Sequence, residues 1–168
     1  REAIMRAERV QANLEGLIAG FIGYAAVALF FAIVNVIAGR SPFFTAAFFG
    51  GALFYGVRDP AQVTVWPGVV LAYNGVHLLM FLALGMIASW LAYLSERGPQ
   101  FWYIGAILFL FVVFHMYGFV LLLTGGIQTV IPTWTVFVAT VLAGTAMFGY
   151  LLWVHPRFRS ELHEFREE

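Results

Sequence analysis

The chain has 168 residues, of which 62% are hydrophobic and 11% charged, and its formal net charge is zero. Soluble globular domains carry about 25% charged residues, so this composition, with a mean hydropathy of +0.87, excludes a soluble fold and predicts an all-α integral membrane protein. All nine basic residues are arginine, and the absence of lysine and cysteine removes lysine Schiff bases, thiolate nucleophiles, iron–sulfur clusters and disulfides from consideration.

Glu2 and Arg6 stand at i, i+4 and predict a short polar helix at the membrane surface. The first span follows at Leu17–Ala38. It is too long for a signal-peptide core and lacks a small-residue cleavage site, so it is expected to be retained.

Ser41 and Pro42 form a helix opening, with serine as N-cap and proline at the first position, and predict a short helix over about 42–57. Phe43–Val57 cannot span, because a helix of that length reaches about 22 Å against a hydrocarbon core of about 30 Å. Phe43, Phe44, Phe48, Phe49, Leu53, Phe54 and Tyr55 surround it on every face. A helix at a water interface keeps one polar face, so this one is expected to be covered, by its own bundle or alternatively by another protein or a large cofactor.

The remaining spans read as Gly68–Leu94, Phe101–Leu123 and Trp134–Trp153. The expectation is a single domain: a four-helix transmembrane bundle with a short outer-side apolar helix between the first two spans, and cytoplasmic tails over 1–16 and 154–168. Trp66, Trp90, Trp102, Trp134 and Trp153 stand towards the ends of the apolar runs, as an aromatic belt does. Four spans put Arg1, Arg6, Arg9, Arg97, Arg157, Arg159 and Arg166 on the side of the termini and only Arg40 and Arg58 opposite, which places both termini in the cytoplasm. In the C-terminal tail Phe158, Leu162 and Phe165 form a membrane-skimming stripe, and His155 and His163 beside Glu161 and Glu164 are expected to be solvated rather than metal-bound.

Small residues recur at helix spacing: Gly16 and Gly20, Ala19 and Gly23, Gly85 and Ser89, Ala139 and Ala143, Thr140 and Gly144, Thr145 and Gly149. Such spacing predicts close helix packing, chiefly within the bundle. From Gly16 to Val154 the only carboxylates are Asp59 and Glu96, both in connections, so no intramembrane proton relay is expected. No G-x-S-x-G or H-E-x-x-H string occurs and no basic face is large enough for nucleic acid, so neither intrinsic catalysis nor nucleic-acid binding is expected.

Polar groups inside a span are tolerated only where they pair, which makes them the best pointers to function. His77 and His115 both fall roughly 12–14 Å from the outer boundary. Asn35, Tyr73, Asn74 and Tyr117 lie in the same half, with Asn74 at i−3 from His77. Two histidines at one depth on antiparallel neighbours suit axial coordination of haem b, with Asn35, Asn74 and Tyr117 as supporting groups. One histidine alone suits the magnesium of a chlorophyll-type pigment or a quinone carbonyl, and a hydrogen bond to a neighbouring helix accounts for either histidine without a cofactor. In its two intramembrane histidines the chain is similar to the four-helix cytochrome b anchors of respiratory enzymes.

The reading that follows is a small accessory subunit of a larger respiratory or photosynthetic membrane complex, in contact with lipid and other membrane subunits. Its alternatives are a free-standing b-type cytochrome and a small transporter or channel. Compactness and arginine usage favour a bacterial inner membrane.

Overall fold

A computed structural model describes residues 2–96, 98, 103, 105–107 and 131–155, with residues 2–5 and 7 described as helical backbone only. Among these residues the elements are α1 (Glu2–Ile37), α2 (Phe44–Tyr55), a 3₁₀ turn (Pro60–Gln62), α3 (Pro67–Ser95) and α4 (Thr133–Val154). No strand occurs among the described residues. Three helices, Glu8–Ile37 within α1, Pro67–Ser95 and Thr133–Val154, are long and apolar enough to cross a membrane. The protein is thus a helical membrane protein. Exposed side chains such as Leu29, Ile33, Leu71, Leu79 and Phe137 give these helices the outward apolar faces that lipid contacts.

The predicted third span over 101–123 and the tail beyond residue 155 lie outside the described residues, apart from helical Tyr103, Gly105, Ala106 and Ile107. At the N-terminus no separate polar helix precedes the first span. Glu2 to Ile37 is one continuous helix, since nothing between Arg6 and Leu17 breaks helical hydrogen bonding.

α1 is the central element, packing along both α3 and α4. Its contact with α3 is a glycine seam. A Cβ built on Gly85 would stand 2.2 Å from the Gly16 carbonyl oxygen and 2.4 Å from the Gly20 amide nitrogen, and one on Gly20 would stand 2.4 Å from the Phe81 carbonyl oxygen. Only glycine lets the two backbones approach so closely, and the gain is dispersion between helix surfaces, which a bilayer does not otherwise supply. Ser89 continues the seam by donating from Oγ to the Ala12 carbonyl at 2.8 Å. Trp90 adds an indole N–H bond of 3.1 Å to Asn13 Oδ1.

α4 presents Thr135, Ala139, Ala143, Met147 and Leu151 as its buried face, at i, i+4 steps, and Ala139 and Ala143 meet Val27 of α1. The predicted pairs Gly16 and Gly20, Ala19 and Gly23, and Ala139 and Ala143 therefore serve internal packing, whereas Thr140 and Gly144 are only partly buried, and Thr145 and Gly149 are exposed, with open space where a Cβ on Gly149 would stand.

α2 begins at Phe44 rather than Pro42. Ser41 accepts a bond at Oγ from the Phe43 amide at 3.3 Å and its carbonyl accepts from Phe44 N–H, so serine caps a turn ahead of the helix and Phe43 becomes the N-cap. Gly56, at φ +66°, ends the helix in the left-handed conformation. The bundle itself covers α2: Thr45 to Ala52 are all buried apart from partly exposed Ala46, and Phe48 and Phe49 pack with Ile131 against Phe31, Tyr73 and Val136. Leu53, Phe54 and Tyr55 at its end remain exposed.

Asn35, near the end of α1, fastens this cover. Its Nδ2 donates to the Pro42 carbonyl at 3.2 Å and its Oδ1 accepts from Thr45 Oγ1 at 3.1 Å, with both side chains buried. Asn35→Ala leaves the Thr45 hydroxyl and Pro42 carbonyl without partners and is expected to destabilise the protein by about 1–3 kcal/mol, measured by denaturant unfolding in detergent.

Candidate functional site

In α3, Tyr73, His77 and Phe81 follow one another at i, i+4 and project along one face. Their rings form a column with α2. Phe49 stacks on Tyr73 at 5.8 Å between centroids, Tyr73 lies 5.4 Å from His77, and His77 meets Phe81 edge-on at 5.0 Å. Tyr24 of α1 adds a third ring to the His77 surroundings, edge-on at 5.7 Å. The half-buried imidazole is thus held by three aromatic rings.

Asn74 is close by but otherwise engaged. Its Oδ1 accepts from Tyr24 Oη at 2.9 Å and its Nδ2 donates to the Val70 carbonyl at 2.8 Å, so both ends of the amide are used in joining α1 to α3. Tyr24, rather than His77, takes the acceptor that the i, i+3 spacing offers to His77. No hydrogen bond to the His77 ring is made among the described residues. His77 instead lines a groove of about 790 Å³ between α3 and α4, walled by Tyr24, Phe31, Phe81, Ala139 and Ala143, and small-molecule sites commonly occupy about 300–1,000 Å³.

Of the other predicted site residues, Asn35 belongs to the α1–α2 fastening described above, away from the rings around His77. His115 and Tyr117 lie outside the described residues. Arg40, one of the two outer-side arginines, lies over the Phe44 ring at 4.9 Å.

A second polar group was not legible as such. At the end opposite α2, His155 follows the last turn of α4 and is buried, 4% exposed, rather than part of a solvated tail. Its Nδ1 lies 3.0 Å from Glu96 Oε1 and its Nε2 3.0 Å from Glu15 Oε2. The Glu15 contact is a close approach without hydrogen-bond alignment, as neither Nε2 nor Oε2 has a hydrogen-bond partner. Gln11 Nε2 donates to Glu15 Oε1 at 2.9 Å, and the Tyr93 ring meets His155 edge-on at 4.7 Å.

No family model, curated protein or solved structure matches the chain. The two carboxylates stand on opposite nitrogens of one imidazole, so they do not converge on a cation, and no group of three metal-ligating side chains occurs among the described residues.

Proposed function

We propose that the protein is a four-span membrane bundle that serves as a small accessory subunit of a larger bioenergetic membrane complex and holds a haem or chlorophyll-type pigment through His77 and His115. The observation that carries this reading is the His77 imidazole, set in an aromatic cage on the wall of an apolar groove with no hydrogen bond among the described residues. A polar group in an apolar setting is costly unless it is bonded, and a ligated metal supplies that bond. The rings of Tyr24, Tyr73 and Phe81 fix the imidazole plane. A bound haem supplies one-electron transfer; a pigment supplies light absorption.

Connectivity supports the fourth span. α3 ends beside Glu15 and His155, whereas α4 begins beside Phe48 and Phe49 of α2, so the intervening chain has to return along the length of the bundle. Phe101–Leu123 is the apolar run available for that return. By sequence count such a span sets His115 at a depth similar to that of His77. The same arrangement brings the start of α1 and the end of α4 to one side, which the arginine asymmetry assigns to the cytoplasm, with α2 on the outer side of a bacterial inner membrane.

The test is the reduced-minus-oxidised spectrum of the chain purified in mild detergent with its co-purifying proteins identified by mass spectrometry. Haem or pigment bands are expected, together with stoichiometric membrane partners. His77→Ala and His115→Ala are each expected to lose the bands while the chain still inserts; unchanged absorbance in both variants overturns the ligand assignment. Bands and reversible reduction in a chain without partners would make it a free-standing cytochrome, and a colourless, partnerless chain that mediates flux in vesicles would make it a transporter.

A further inference from the structure

The buried group at the end opposite α2 goes beyond the cofactor reading and does not rest on it. An ionised carboxylate only accepts hydrogen bonds, and a neutral imidazole carries one N–H and one lone pair. His155 has a carboxylate oxygen 3.0 Å from each ring nitrogen. With a neutral ring and two carboxylates, one of these contacts would set a nitrogen lone pair against an anionic oxygen in a buried place. Only the Glu96 contact is aligned as a hydrogen bond, and one further proton, held on the second ring nitrogen or on one carboxyl, removes that repulsion.

The three side chains come from three helices. Glu15 is in α1, Glu96 caps α3 and His155 caps α4. α3 and α4 otherwise lie apart along the groove, whose lining near this end includes Leu91, Ser95 and Leu151. We propose that Glu15, His155 and Glu96 form a proton-binding lock that ties the ends of α1, α3 and α4 together and closes that end of the groove. Loss of the shared proton leaves two carboxylates facing a ring that can satisfy only one of them, and the α3 and α4 ends separate.

The other polar groups facing the lock are Gln11 from α1, which bonds Glu15, Tyr93 from α3, and Tyr150 from α4, with Glu8 a further charge from α1 acting on Tyr93. Among the described residues none of these groups is a cation, so within this set a shared proton is the positive charge beside the carboxylates. Glu96 is partly open to solvent, its side chain 22% exposed, which gives the proton a path to water.

The chain has no cysteine, so spin labels can be placed at will. Leu94→Cys in α3 and Trp153→Cys in α4, labelled in the full chain in lipid nanodiscs, report the separation of the two ends by pulsed electron resonance. Measured from about pH 5 to about pH 9, a range that brackets histidine titration, the distance is expected to be short at neutral pH and to shift to longer values as pH rises. In the same labelled background His155→Gln, which cannot carry the charge, is expected to remove the shift. Glu96→Gln serves as the second variant should His155→Gln not fold, and is expected to remove it too. A distance that does not change with pH in the labelled parent, or a shift that persists unchanged in the variants, overturns the proposal.

Discussion

Replacing Gly85 with valine is expected to destabilise the bundle by about 3 kcal/mol, the upper end of what overpacking usually costs. The neighbours that a side chain at Gly85 would strike are the backbone atoms of Gly16 and Gly20, and a third contact at 2.7 Å is the Gly20 Cα itself. No rotamer change relieves such a clash, so α1 and α3 have to separate along the seam. Separation also breaks the bonds from Ser89 to Ala12 and from Tyr24 to Asn74, which need the helices at their present distance. Gly149→Ala is the matched control: its Cβ meets nothing within 4 Å, and the change is expected to stay within about 0.5 kcal/mol. Denaturant titration of both variants in one detergent, with size-exclusion profiles, measures the difference. Equal stability of the two would mean that the seam does not hold the helices together.

That seam was legible in the sequence because small-residue spacing reports directly on which helix faces can approach. Gly16 and Gly20 in one span and Gly85 and Ser89 in another are the residues that meet. The cover over α2 was legible for a related reason, since a helix with phenylalanines on every face has no side to offer water. What could not be read was which polar atoms would be shared. Ser41 and Pro42 fit a helix start by residue type, yet the Ser41 carbonyl and hydroxyl go to a preceding turn. Asn74 sits on the His77 face by spacing, but the Tyr24 hydroxyl of another helix takes its acceptor.

His155 shows the limit most clearly. Its partners lie 59 and 140 positions away (155 − 96 and 155 − 15), and each of the three residues alone reads as a charge at a span boundary, where solvation is the ordinary outcome. Burial comes from three helix ends converging, which periodicity does not encode. The one available signal was topological. A four-span reading puts Glu15, Glu96 and the end of the last span on the same side, and the only histidine following that span directly is His155.

His155→Ala is expected to cost about 3–5 kcal/mol, the range for breaking a buried ion pair by removing one partner. Most of that loss falls on Glu15, whose side chain is 10% exposed and would be left charged and buried beside Gln11. Glu96, at 22%, regains part of its hydration and contributes less. The loss is therefore conditional on Glu15 keeping its charge. In Glu15→Gln with His155→Ala the stranded anion is gone, so the double variant is expected to be more stable than His155→Ala alone, a non-additivity that unfolding of the four proteins in a double-mutant cycle measures. Additive losses would mean that the two side chains stabilise their helices independently, and the contact between them would then be proximity without coupling.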